Sequence, residues 1–391
     1  MRLIFRLFVF LLVLAVIGLV GLVTFGPAYV EKSRNRVAAH DPYPVSDAAR
    51  ALHESLVVGD WHADPLLWNR DLAERSDYGQ VDIPRLIEGG VALQVFTAVT
   101  KSPAGQNYDS NSAEAFDTIT ALAVAQLWPP RTWGSLKERA IYQADKLHRF
   151  AARSDGQLRV IRTAAELDAL LAARAEGQAI VGGILGIEGG HPLEGDLANL
   201  DDLLAAGHRV FGLQHFFDND LGGSLHGVGN HGLTDFGREV VAALADLPVI
   251  IDLAHSSPAV ARDVLAMTDV PLVVSHTGVH GHCPVKRNFP DTLMQQIAAT
   301  GGVIGLGYWA EVACDDITPA GIARMAVAAI AVVGEDHVSL GSDFDGSVET
   351  AFDTSELPAL THALLAAGLT EAQVAKIMGG NMLRVLRARL G

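Results

Sequence analysis

Two histidines close two short apolar runs in the stretch Pro248–Asp291. Val249–Leu253 and Leu272–Ser275 are rich in β-branched residues, as fully buried parallel strands are, and they lead into His255 and His276. Between them Ser257 is placed to cap a helix over Pro258–Ala266, with proline in its first turn. A strand–helix–strand unit of this kind brings both imidazoles to the carboxyl edge of one sheet, where α/β folds place their chemistry. Paired imidazoles there point to a metal ion. One alone would read as a hydrogen-bonded core residue.

Other chemistry-bearing residues close other apolar runs. His62 and Asp64, in Asp60-Trp61-His62-Ala63-Asp64, lie two apart and so point to one side of an extended segment. Asp64, just before Pro65, could equally cap the segment that follows. Glu188 ends a glycine-flanked apolar run, where an unpaired carboxylate is costly to bury and a cation or an arginine would satisfy it. His215, in Gly212-Leu213-Gln214-His215-Phe216, is open to three roles: ligand, carbonyl polariser or core histidine. Asp343, in Ser342-Asp343-Phe344-Asp345-Gly346, is placed to act as general acid or base on a metal-activated water, with Asp345 in the same phase holding the turn. Arg287 suits bidentate capture of a carboxylate. His226, His231, His280 and His282 read as loop residues.

The elements that must position these groups are eight candidate strands: Leu56–His62, Val91–Thr97, Ala179–Ile187, Val210–His215, Val249–Leu253, Leu272–Ser275, Val303–Leu306 and Val338–Gly341. Helical patterns alternate with them, and Thr163–Glu166 and Thr370–Gln373 read as capping boxes. The alternation predicts an α/β fold, a (β/α)₈ TIM-type barrel over residues 46–391. A doubly wound sheet is disfavoured because no glycine-rich phosphate loop follows the first strand. The interval 100–178 predicts a helical insertion, with helices near Ser112–Leu127 and Ser135–Ala152, able to form a lid or wall.

At 391 residues and a formal charge of −16, the chain has the bulk for such a barrel and the wrong sign for nucleic acid or an anionic membrane surface. Its 2 cysteines, Cys283 and Cys314, exclude a zinc ribbon or a disulfide-dense scaffold. Residues 1–30 form a separate unit, because Leu7–Val30 is uncharged and long enough to span a bilayer. It reads as an uncleaved N-terminal transmembrane anchor, with the body extracytoplasmic (periplasmic or extracellular). Residues 31–45 read as a polar linker.

Taken in order, these motifs resemble the membrane dipeptidase (renal dipeptidase) family of zinc peptidases, within the metal-dependent amidohydrolase superfamily. The resemblance rests on Asp60-x-His62-x-Asp64, Ile187-Glu188-Gly189-Gly190-His191, Ile251–Ser256, Ser275-His276, Arg287-Asn288-x-Pro290-Asp291 and Asp343–Gly346. The spacings fit too: 21 residues from His255 to His276 and 11 from His276 to Arg287. The resemblance implies two Zn2+ per chain, one on His62 and Asp64, the other on His255 and His276, with Glu188 bridging them. It implies substrate contacts from His215 and Arg287, and acid/base duty for Asp343. The activity implied is hydrolysis of free dipeptides by a metal-bridging hydroxide. N-acyl amino acids or cyclic amides are the alternative substrates, and a homodimer stays open. A tethered binding protein without turnover is disfavoured because every catalytic position is filled. Trp61 and Ala63 depart from the glycine and asparagine that relatives often carry, and the amino-terminal anchor differs from the carboxyl-terminal lipid anchor of mammalian relatives. Relatives also carry a disulfide at positions matching Cys283 and Cys314, which implies a bridge here if the body is extracytoplasmic.

Overall fold

The computed structural model describes residues 2–314 and 316–391. Eight parallel strands form the centre: β1 (Val58–Ala63), β2 (Val91–Val99), β3 (Val181–Glu188), β4 (His208–Gly212), β5 (Ile250–Asp252), β6 (Leu272–Thr277), β7 (Val303–Leu306) and β8 (Val338–Leu340). Each pairs with the next, and β8 pairs with β1 through Leu340 and Asp60, so the sheet closes. Closure excludes the open doubly wound sheet and gives the (β/α)₈ barrel. Every residue of β1, β2, β3 and β6 is buried, which explains why these strands read as continuous apolar runs rather than as alternations. Gly341 is required where it stands: a Cβ there would lie 1.7 Å from the Ser275 carbonyl oxygen.

Several boundaries differ from the sequence reading. β4 ends at Gly212 and β5 at Asp252, so His215 and His255 stand three residues beyond their strands, on loops rather than in the sheet. The helix after β5 runs Pro258–Met267, with Ser257 capping the Val260 N–H. In the insertion, the first helix spans Thr118–Ala125 because Asp117, not Ser112, caps it; the Ser112 hydroxyl is engaged by Glu114. The second spans Leu136–Arg153. Beyond it, the strand Leu158–Val160 adds to the outer side of β3, and the helix Ala164–Ala175 completes an ordinary crossover. Thr370 and Gln373 form the reciprocal capping box, whereas the Glu166 carboxylate accepts from the Arg162 N–H instead of returning to Thr163. Cys283 and Cys314 are disulfide-bonded, with Cα atoms 5.5 Å apart, and join the loops after β6 and β7.

One helix, Arg2–Arg34, covers the amino terminus and is long and apolar enough to cross a membrane. It does not stop at Val30. The stretch expected as a polar linker continues the helix to Arg34 and is docked on the barrel. Glu31, 1% exposed, accepts from Arg70 Nε at 2.6 Å, and Arg70 also pairs with Asp345. Asn35 Oδ1 accepts from the Ser347 N–H at 2.9 Å. Arg36–Val37 then pairs, parallel, with Glu349–Thr350. The reason is complementary burial: a carboxylate and an arginine, each too costly to bury alone, bury together.

Candidate metal centre

The sequence-predicted residues converge at the carboxyl end of the barrel. Asp64 directly follows β1, Glu188 ends β3, His276 lies within β6, and Asp343 follows β8. Glu188 is central. Its Oε1 lies 3.1 Å from His255 Nε2, 3.5 Å from His276 Nε2 and 3.5 Å from His62 Nε2, while Oε2 lies 3.2 Å from His215 Nε2. His62 Nε2 is 3.6 Å from Asp64 Oδ1 and 3.9 Å from Asp343 Oδ1. His255 and His276 face each other with Nε2 atoms 2.8 Å apart.

Three overlapping donor sets, each within 4.8 Å, arise from this cluster: His62–Asp64–Glu188, Glu188–His215–His255, and His62–His276–Asp343. The first fits the expected grouping. The other two bring His215 and Asp343 as close as the expected ligands, so proximity alone does not separate ligand from substrate contact.

Two carboxylates missed as functional by sequence reading hold the frame. Asp60 accepts from the His62 N–H at 2.9 Å and the Ser342 N–H at 3.0 Å, tying β1 to the loop of Asp343. Asp252 accepts from the Ala254 and Ser275 N–H groups, both at 2.9 Å, tying the two imidazole-bearing segments together. His255 and Asp343 adopt left-handed backbone, φ 62° and 61°, rare for residues with side chains and typical of over-determined functional sites.

The electrostatics fit a cation. Burial and the neighbouring Asp64 hold the Glu188 carboxyl well above the usual range, with Asp343 adding to the effect. Burial and then Asp64 do the same for Asp343, despite the opposing effect of His62. Burial alone would lower His62, but Asp64, Glu188 and Asp343 outweigh it and raise the ring to about 10. Carboxyls crowded this closely bind protons more tightly than isolated ones, and a bound cation would compete with those protons. Burial and the Arg287 guanidinium push His255 well below its ordinary value; burial and then His62 do so for His276. Both rings are neutral and carry the lone pairs that metal ligation needs.

Arg287 is 2% exposed; its Nη2 donates to the His276 carbonyl at 2.7 Å, and among the described residues its Nε is buried without a partner. His215 Nδ1 bonds the Lys101 carbonyl at 3.2 Å, so Nδ1 is the donor and the neutral ring turns a lone pair at Nε2 toward the cluster. Burial lowers this ring to about 4. Asp345 holds the turn, accepting from the Gln80 and Val81 N–H groups. His226, expected as a loop residue, is fully buried, with its ring 5.0 Å from Phe216 and 5.8 Å from His255 between centroids. Its Nδ1 bonds the Tyr108 carbonyl, and Tyr108 Oη accepts from Trp309 Nε1 at 2.9 Å. No periodicity marks His226, Tyr108 or Trp309, because all three act from irregular loops.

A cleft of about 310 Å³ opens onto this cluster. Asp64, Glu188, His215, His255 and Asp343 form its floor; Tyr108, Phe216 and Trp309 also line it. Two residues of the amino-terminal helix, Val30 and Arg34, line it as well.

A parallel barrel with a buried His/carboxylate cluster at its carboxyl end defines the metal-dependent hydrolase class. Residues 46–389 match the model of the membrane dipeptidase family, peptidase family M19, and the chain belongs to that family. It is 28% identical over 378 residues to dipeptidase aclJ of Aspergillus oryzae, covering 88% of this chain and 83% of that one. Among solved structures it resembles an M19 metallopeptidase described as dipeptidase AC (28% identity, TM-score 0.69, 86% of this chain and 99% of that one). It also resembles a metallopeptidase of Rhodobacter sphaeroides liganded with a phosphinate mimic of the dipeptide L-Ala-D-Ala (27% identity, TM-score 0.68, 85% and 99%). The chain is accordingly a metallo-dipeptidase, and enzymes of this family use metal ions.

Proposed function

We propose that the protein is a zinc dipeptidase that hydrolyses the peptide bond of free dipeptides, with two Zn2+ bridged by Glu188. The observation that carries the reading is the position of Glu188, within 3.5 Å of His62, His215, His255 and His276. Imidazole and carboxylate donors suit zinc. His62 and Asp64 would hold one ion and His255 and His276 the other; bound there, the pair would supply Lewis acidity and a water acidified toward neutrality.

The chain's own residues do the rest. Arg287, one arm fixed on the His276 carbonyl and Nε free, takes the substrate's terminal carboxylate. Asp343 accepts the proton of the attacking water as the C–O bond forms and then passes it to the departing amine, so that the C–N bond breaks with a neutral leaving group. His215 offers a proton at Nε2 only in its charged form, which the negative charge developing on the carbonyl oxygen favours. Tyr108, Phe216 and Trp309 wall the cleft against bulk water. A relative liganded with a dipeptide phosphinate supports this substrate class.

The amino-terminal helix serves as an uncleaved single-pass anchor, and the body is extracytoplasmic. The Cys283–Cys314 bridge supports an oxidising compartment. The test is metal analysis of the purified full chain beside a hydrolysis screen of dipeptides, N-acyl amino acids and cyclic amides. About two zinc ions with preferential dipeptide turnover is the expected result. One ion, or preference for acyl amino acids or cyclic amides, would overturn it.

A further inference from the structure

The residue before the buried Glu31 and the third residue after it, Val30 and Arg34, line the cleft that holds Glu188 and Asp343. Three cations follow the apolar part of this helix. Lys32 lies 3.7 Å from the Asp77 carboxylate, and Arg36 pairs with Glu349 at 2.5 Å. Arg34 alone of the three lines the cleft, and among the described residues it forms no ion pair. It is also the one lysine or arginine among the described cleft-lining residues, since Arg287 lies deeper, against His255 and His276. Its position is set by its neighbours. Asn35 donates its N–H to the Glu31 carbonyl and takes the Ser347 N–H on Oδ1, both at 2.9 Å, and Glu31 is held by Arg70. The backbone of Arg34 is thus fixed on both sides, and an exposed guanidinium without an ion pair among the described residues, on the lining of a small cleft, is placed to meet an anionic group.

We infer that Arg34 is a specificity-determining residue that selects dipeptides carrying an acidic side chain. The inference rests on the dipeptidase reading and adds a substrate class to it. Arg287 takes the terminal carboxylate common to all free dipeptides, so Arg34 reads a second negative charge. A juxtamembrane arginine can instead meet a lipid phosphate, but its place on the wall shared with Glu188 and Asp343 favours the substrate.

The test uses the full-length zinc-loaded enzyme in detergent and isosteric substrate pairs, Glu-Ala against Gln-Ala and Ala-Glu against Ala-Gln. Wild type should prefer the acidic member of at least one pair in kcat/KM. Arg34→Gln should lower that acid-to-amide ratio about two- to fivefold, Arg34→Glu should lower it further, and Arg34→Lys should keep most of it. Added salt should shrink the wild-type ratio, because Arg34 is exposed. Equal losses on both members of a pair would make Arg34 structural and overturn the inference. So would unchanged ratios accompanied by weaker binding to anionic vesicles, which would assign Arg34 to lipid. Absence of dipeptide turnover by the wild type would instead sink the dipeptidase reading itself, and this inference with it.

Discussion

Replacing Arg287 with alanine tests the substrate class at its most exposed point. Its Nη2 is committed to the His276 carbonyl at 2.7 Å, while Nε is buried with no partner among the described residues, so the guanidinium keeps a donor for an acceptor on the substrate. A charge-assisted hydrogen bond contributes about 1.5–3 kcal/mol. At about 1.4 kcal/mol per decade, Arg287→Ala should lower kcat/KM on free dipeptides roughly tenfold to a few hundredfold. The same substitution also strips the His276 carbonyl of its donor, a disturbance every substrate would feel. The assay therefore compares each dipeptide with its carboxamide, which has no carboxylate to lose. The acid-to-carboxamide ratio should collapse in Arg287→Ala and recover only in part in Arg287→Lys, which lacks the planar fork. Zinc content should stay unchanged, because Arg287 is not a ligand. If acid and carboxamide lose activity equally, Arg287 is a structural strut for His276, and acyl amino acids or cyclic amides become the better substrate reading.

Glu188→Gln should weaken both metal positions together, read as loss of more than one zinc per chain on dialysis; two tightly held ions would refute the bridging role. Asp343→Asn should lower kcat by about 10²- to 10⁴-fold while metal stays bound, and a loss of metal would make Asp343 a ligand instead. In chelated protein, His62 has a folded-state value of about 10, above its ordinary 6.5, so the folded form binds that proton more tightly. Its contribution to stability is complete below pH 6.5 and is lost as pH rises toward 10. Glu188 and Asp343, also raised, act in the same sense, while His255 and His276, pushed down, cost stability only on the acid side. Lys146, buried and lowered to about 7, acts in the opposite sense over the same range, so the check is a difference. Between pH 7 and 10 the urea midpoint of the chelated protein should fall relative to that of chelated His62→Asn, and zinc should restore most of that loss. A midpoint rising over that range relative to the variant's would contradict the electrostatic account.

What the sequence disclosed follows from what is local. β-branched runs and the polar residues ending them located the strands, and with them His62, Asp64, Glu188, His276 and Asp343. His215 and His255 were found as residues but misplaced as strand ends, because the strands before them stop at Gly212 and Asp252, short of both histidines. His226 hid in a glycine-rich loop, and its burial comes from packing on Phe216 and hydrogen bonding to Tyr108, a residue 118 positions away. The docking of residues 31–37 was not legible at all. Its partners, Arg70, Ser347 and Glu349–Thr350, are distant in sequence, and a charged residue after an apolar run ordinarily marks solvent rather than burial.

That docking decides what a cut between the amino-terminal helix and the barrel would do. A cut anywhere from Glu31 to Val37 would do more than free a passenger. It would unpair Arg70 beside Asp345, remove the Asn35 oxygen from the Ser347 N–H, or strip an edge from Glu349–Thr350, all close to Asp343 in the chain. A cut between Val30 and Glu31 would spare those contacts yet remove Val30 from the cleft wall. The end of the amino-terminal helix and the cleft thus draw on the same few residues, and only a cut ahead of Val30 would leave the cleft as it stands.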